Sequence, residues 1–125
     1  MPARYVAVLS ALALLPLLLW DASPASFPTH AHDLLGAVPL AIVGVACLMY
    51  PLARKARAAD VAKASIAAAA FFAWAANQYW ADHPKATLMN DVAVALFVID
   101  VVLGVLGWPP PDAETERVPS PVPPT

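Results

Sequence analysis

Charge is scarce in this chain: 13% of its residues are Asp, Glu, Lys or Arg, and the formal net charge is −2. A soluble domain of 125 residues needs far more, because the outer shell of a small fold is most of the fold. So small an imbalance also gives no basis for capture of nucleic acid. Cysteine is nearly absent, and the single Cys47 excludes an intrachain disulfide framework and any CxxC metal or redox motif. The three histidines, at 30, 32 and 83, all fall outside the apolar blocks, which argues against a haem held by paired histidines inside a membrane. No Ser–His–Asp constellation, phosphate loop or HExxH pattern occurs. The chain is therefore expected not to be an enzyme and to carry no cofactor.

What is present is apolar: 61% of residues are hydrophobic and the mean hydropathy is +0.67. These residues arrive in four blocks, 5–20, 34–52, 61–80 and 89–108, and not in alternation. That pattern calls for lipid as solvent. A helix needs roughly 20 residues to cross a ~30 Å hydrocarbon core, which the last three blocks supply. The first is shorter, about 24 Å at 1.5 Å per residue. Trp20, Tyr50, Tyr79, Trp80 and Trp108 sit at block ends, where amphipathic rings settle at headgroup level. The expectation is an all-α polytopic membrane bundle of four antiparallel helices over 1–108. A Pro-rich tail over 109–125, with half of the fourteen prolines, cannot bury a core and is expected to be disordered.

Orientation follows from the basic residues. Four crossings with a cytoplasmic N-terminus put Arg4, Arg54, Lys55, Arg57, Lys63 and Arg117 inside and only Lys85 outside. Both termini are thus expected in the cytoplasm of a bacterium, the origin that an Ala- and Pro-rich, Lys-poor composition suggests. An alternative reading of the N-terminus is a secretory signal, with Ser23-Pro24-Ala25 before Ser26 as its cleavage site. Cleavage would remove about residues 1–25 and leave three helices in the same orientation.

Asp100 is the most informative residue. It stands near the middle of the fourth block, where a carboxylate costs roughly 2.5–3.5 kcal/mol on insertion scales. The surrounding Val, Leu, Ile and Phe residues offset this, so the helix inserts with Asp100 turned toward the bundle. Ala93, Phe97, Asp100, Gly104 and Gly107 share one face at steps of three and four, and Val94, Val98, Val101 and Val105 share the opposite one. Matching depths place Ala68 and Cys47 at its level, with Ser10 and Ser65 nearby. Lys63 is counted among the inner basic residues, so Asp100 is expected to lack a cationic partner and to favour a protonated, hydrogen-bond-donating form. Asn77, Gln78, Asn90 and Asp91 form a second polar group, expected to meet across a hairpin and fix its register by interhelical hydrogen bonds.

The outer loops hold His30, His32, Asp33, Asp82 and His83, a set of metal-ligand types without diagnostic spacing. The stretch FAWAANQYWADHPKATLMNDVAVALFVIDVVLGVLGWP, residues 72–109, resembles uncharacterised small multi-pass proteins of bacterial inner membranes. The resemblance implies only that Asn77, Gln78, Asn90, Asp91 and Asp100 belong to one structural unit. For function, these features favour a non-catalytic accessory or interaction subunit in a larger membrane assembly. The alternative is a small homo-oligomeric proton- or cation-coupled transporter using Asp100, and the third reading is metal handling at the outer face.

Overall fold

The computed structural model describes residues 2–23, 25, 28 and 31–112. His30, the Pro24 and Ser26 of the cleavage reading, and the tail beyond Asp112 with Arg117 lie outside these residues, as do the side chains of Arg4 and Ser10. The described chain is helical, without a strand: α1 (Pro2–Ala22), α2 (Ala31–Ala53), α3 (Ala58–Tyr79) and α4 (Ala86–Val105). Three of them, α2, α3 and α4, are long and apolar enough to cross a membrane, at 23, 22 and 20 residues. The apolar stretch of α1, Ala11–Trp20, is shorter.

The helix ends differ from the hydropathy blocks by up to three residues, because backbone capping sets them and not apolarity. At the end of α4, Gly107 takes φ 73°, its N–H donates to Gly104 O at 3.1 Å, and Trp108 N–H donates to Leu103 O at 2.8 Å. This is a Schellman turn, which satisfies the last carbonyls and stops the helix at Val105. The expected end at 108 is therefore corrected, and Gly107 does not extend the face that Asp100 shares; a Cβ there would meet nothing within 4 Å. The end of α2 repeats the motif with an unusual residue. Lys55 holds φ 52°, its N–H donates to Leu52 O at 3.1 Å, and Ala56 N–H donates to Pro51 O at 2.9 Å. A side chain in the left-handed region costs roughly 1–2 kcal/mol that glycine would not incur. At its other end α2 starts at Ala31, so His32 and Asp33 belong to its first turn and not to the preceding loop. Asp33 there complements the positive end of the helix dipole.

The helices pack on their neighbours in the chain: α1 on α2, α2 on α3, α3 on α4. Among the described residues α1 does not approach α4, so the helices form a row rather than a closed ring. Among the described residues the buried hydrophobic side chains are all alanines, Ala37, Ala68, Ala70, Ala75 and Ala93, joined by Pro39, Gly44 and Pro51. Large apolar side chains lie outside instead, among them Leu12, Leu18, Leu52, Val98, Val101 and Val105, the last 81% exposed. In water this arrangement would be inverted; in lipid, small residues let backbones approach while Leu and Val face the acyl chains. Gly44 shows how close that approach is, since a Cβ there would stand 2.9 Å from Cε1 of Phe72.

Candidate functional site

Lys63 is the sixth residue of α3 and Asp100 the fifteenth of α4. The Lys63 Cα therefore stands about 7.5 Å from the start of α3, and the Asp100 Cα about 7.5 Å from the end of α4, at 1.5 Å per residue. Lys63 Nζ donates to Asp100 Oδ1 at 2.8 Å, with the two side chains 28% and 23% exposed. The expectation that Asp100 lacks a cationic partner is overturned. Lysines near membrane helix ends ordinarily reach outward to the interface. Here the flexible four-carbon stem turns instead to a carboxylate on the neighbouring helix. Gly104 leaves room for it: a Cβ at that position would lie 3.9 Å from Lys63 Cε and Nζ, an ordinary contact, whereas a longer side chain would press on the stem.

Above the ion pair the interface is aromatic. The ring of Phe97 meets Phe71 edge-on at 5.0 Å and Trp74 at 5.9 Å. These T-shaped contacts match the positive ring edge of one partner to the negative face of the other. Ala93 is buried one turn further along the same side of α4, while Val94, Val98, Val101 and Val105 are exposed on the other. The face through Ala93, Phe97, Asp100 and Gly104 is thus the one that meets α3. On α2, the free thiol of Cys47 is half-buried. Ser65 instead donates to Val61 O within its own helix, at 2.8 Å.

The second polar group does not form the expected network. No hydrogen bond among the described residues joins Asn77, Gln78, Asn90 and Asp91 to one another, and Asp91 is exposed. Gln78 is turned toward α2, where its Oε1 lies 3.2 Å from the position a Cβ on Gly36 would take. Alternation of apolar and polar residues gives no clue to this choice of neighbour.

The described His and Asp candidates for metal ligation are likewise dispersed. Among the described residues no three His, Cys, Asp or Glu groups converge as a metal site would require. The ring of His32 packs on Trp20 at 4.5 Å and its Nδ1 lies 3.8 Å from Asp33. His83 Nδ1 accepts a hydrogen bond from the Lys85 backbone N–H at 3.1 Å, within its own loop. Asp82 is exposed.

Around the connection between α2 and α3 the basic residues that serve as a topology signal in the sequence form a charged group. Arg57, the N-cap residue of α3, donates from Nε to Asp60 Oδ2 at 3.0 Å and lies 2.8 Å from Asp112 Oδ1. The hydrogen bond donated to Asp60 first, then the Asp112 charge, hold this exposed guanidinium above its ordinary value against the opposing effect of desolvation. Arg57 therefore stays cationic at any working pH. Arg54 Nη1 donates to Tyr50 Oη at 2.7 Å, and its guanidinium lies 5.0 Å from the centre of that ring. No protein-family model matches the chain, and comparison with curated proteins and with solved structures finds no significant match.

Proposed function

We propose that this chain is a non-catalytic multi-pass protein of the bacterial cytoplasmic membrane, acting as an accessory or interaction subunit of a larger membrane assembly. In this reading it crosses the bilayer four times, with consecutive helices antiparallel and both termini in the cytoplasm. The six basic residues Arg4, Arg54, Lys55, Arg57, Lys63 and Arg117 against Lys85 support that orientation. Contacts pairing Gly44 with Phe72, Lys63 with Asp100 and Phe71 with Phe97 support the antiparallel arrangement.

The observation that carries the accessory role is the row. The outer helices α1 and α4 each pack on a single neighbour, so most of their circumference is left to lipid or to another protein. The Lys63–Asp100 pair adds to this, because an acid matched inside its own chain suits a structural tie between helices better than a cycling carrier. The test is gentle detergent extraction of the tagged native protein followed by native mass spectrometry. Recovery with a larger membrane protein at fixed stoichiometry is expected; recovery always alone refutes the reading.

A second reading is a homo-oligomeric proton- or cation-coupled transporter, favoured by one observation: the ion pair lies between helices of membrane-spanning length. Under it, Asp100→Asn abolishes ion flux in proteoliposomes while leaving assembly intact. Unchanged flux, or loss of assembly instead, rejects it.

A further inference from the structure

The connection between α2 and α3 concentrates three cations, Arg54, Lys55 and Arg57, within four residues. Each presents itself differently. Arg54 is braced by the Tyr50 ring and hydroxyl, which engage Nη1 and leave its other N–H groups outward. Lys55 is exposed and makes no ion pair among the described residues. Arg57 already holds an oxyanion brought from elsewhere, because Asp112 lies seven residues beyond the end of α4 and reaches it at 2.8 Å. Asp60 of its own helix takes Nε and Nη2, at 3.0 and 3.3 Å, and the guanidinium still admits an oxyanion from outside that helix. Two apolar helices of membrane-spanning length flank the connection, which places it at the depth of the headgroups if the helices span.

We infer that Arg54, Lys55 and Arg57 bind the phosphate of an anionic phospholipid headgroup, and that Asp112 competes with it for Arg57. The inference rests on the membrane reading above. Guanidinium groups match phosphate oxygens in paired hydrogen bonds, and an ammonium adds a point charge to the same cluster. Charge complementarity selects an anionic lipid over a zwitterionic one. The flanking apolar helices favour a phosphate carrying acyl chains over a free one. Asp112 acts as an intramolecular stand-in: when lipid takes Arg57, the start of the Pro-rich segment is released from the α2–α3 connection.

The full-length protein in mixed micelles, read by native mass spectrometry, tests this with dioleoyl phosphatidylglycerol and dioleoyl phosphatidylcholine as probes. Preferential retention of phosphatidylglycerol is expected. It should fall by about fivefold for each of Arg54→Gln and Lys55→Gln, the contribution of one basic residue near an anionic surface. Asp112→Asn, which alters no helix, should raise retention, and millimolar glycerol phosphate should not displace the lipid. Equal retention of both lipids, or displacement by glycerol phosphate, overturns the inference. An alkaline wash of native membranes separates the two readings. Release of the chain overturns the membrane reading and this one with it, whereas a retained chain without lipid preference overturns this one alone.

Discussion

Removing Lys63 should cost more than removing Asp100, although they form one ion pair. At 2.8 Å and an effective dielectric of about 20, the gross attraction is roughly 6 kcal/mol. Most of it is offset by desolvation, and because about a quarter of each side chain remains exposed, a net coupling of about 1–3 kcal/mol follows. The single variants differ in what they leave behind. Lys63→Met strands a short carboxylate between α3 and α4, at a cost of about 2–3 kcal/mol, somewhat below the ~2.5–3.5 kcal/mol of a charge at the centre of a membrane helix. Asp100→Asn strands a lysine that can swing outward along its stem, at a cost of about 1 kcal/mol. The double variant Lys63→Met/Asp100→Leu should recover to within about 1 kcal/mol of the parent or exceed it, as buried pairs replaced by apolar groups often do. The exchanged pair Lys63→Asp/Asp100→Lys should recover part of the loss. The assay is unfolding of the micellar protein by increasing SDS mole fraction, followed through tryptophan fluorescence. Additive effects of Lys63→Met and Asp100→Leu, with coupling under about 0.5 kcal/mol, would refute the reasoning. So would Asp100→Asn costing more than Lys63→Met.

Other substitutions probe the packing and the caps. Gly44→Ala puts a methyl 2.9 Å from the Phe72 ring and should destabilise by about 1–3 kcal/mol in the same assay, with Phe72→Leu restoring most of the loss. Lys55→Gly removes the strain of φ 52° and should stabilise the protein by about 1 kcal/mol in detergent free of anionic lipid; a loss of stability contradicts the Schellman assignment. Gly104→Ala should be near neutral while Gly104→Leu displaces the lysine stem and costs about 1–3 kcal/mol, and equal effects of the two would show that the stem does not pass there. Since Cys47 is the sole cysteine, Cys47→Ala provides a background in which Ala56→Cys and Asp82→Cys report orientation. In intact cells an impermeant maleimide should label position 82 and spare position 56, and the reverse pattern inverts the proposed topology.

Hydropathy makes the helices legible because apolar length is a sum over many residues, and errors in single positions cancel. Helix ends depend on one or two residues each. Gly107 and Lys55 stop their helices through backbone hydrogen bonds that no apolar average detects, and the expected end of α4 ran past Gly107 for that reason. The inner face of α4 was readable from steps of three and four, since a membrane helix hides its carboxylate and exposes its valines. Its partner was not. Lys63 lies 37 residues away and has the composition of an ordinary anchor, and only the packing of α3 on α4 shows which way its stem runs. The amides failed differently: Gln78 has two helices within reach, and the close approach of α2 at Gly36 decides which one it meets.

The row of helices has a consequence for how the protein is made. Each described interhelical contact joins elements adjacent in the chain, so the tertiary structure is a succession of neighbour pairings with low contact order. No helix has to wait for a distant one. As the chain emerges, α2 finds α1, α3 finds α2, and the arrival of α4 brings Asp100 to Lys63. The meeting of Asp112 with Arg57 spans 55 residues and cannot occur until α4 is complete. That contact therefore follows all three helix pairings, and a released chain cut short before Asp112 would keep every helix and leave Arg57 to Asp60 alone.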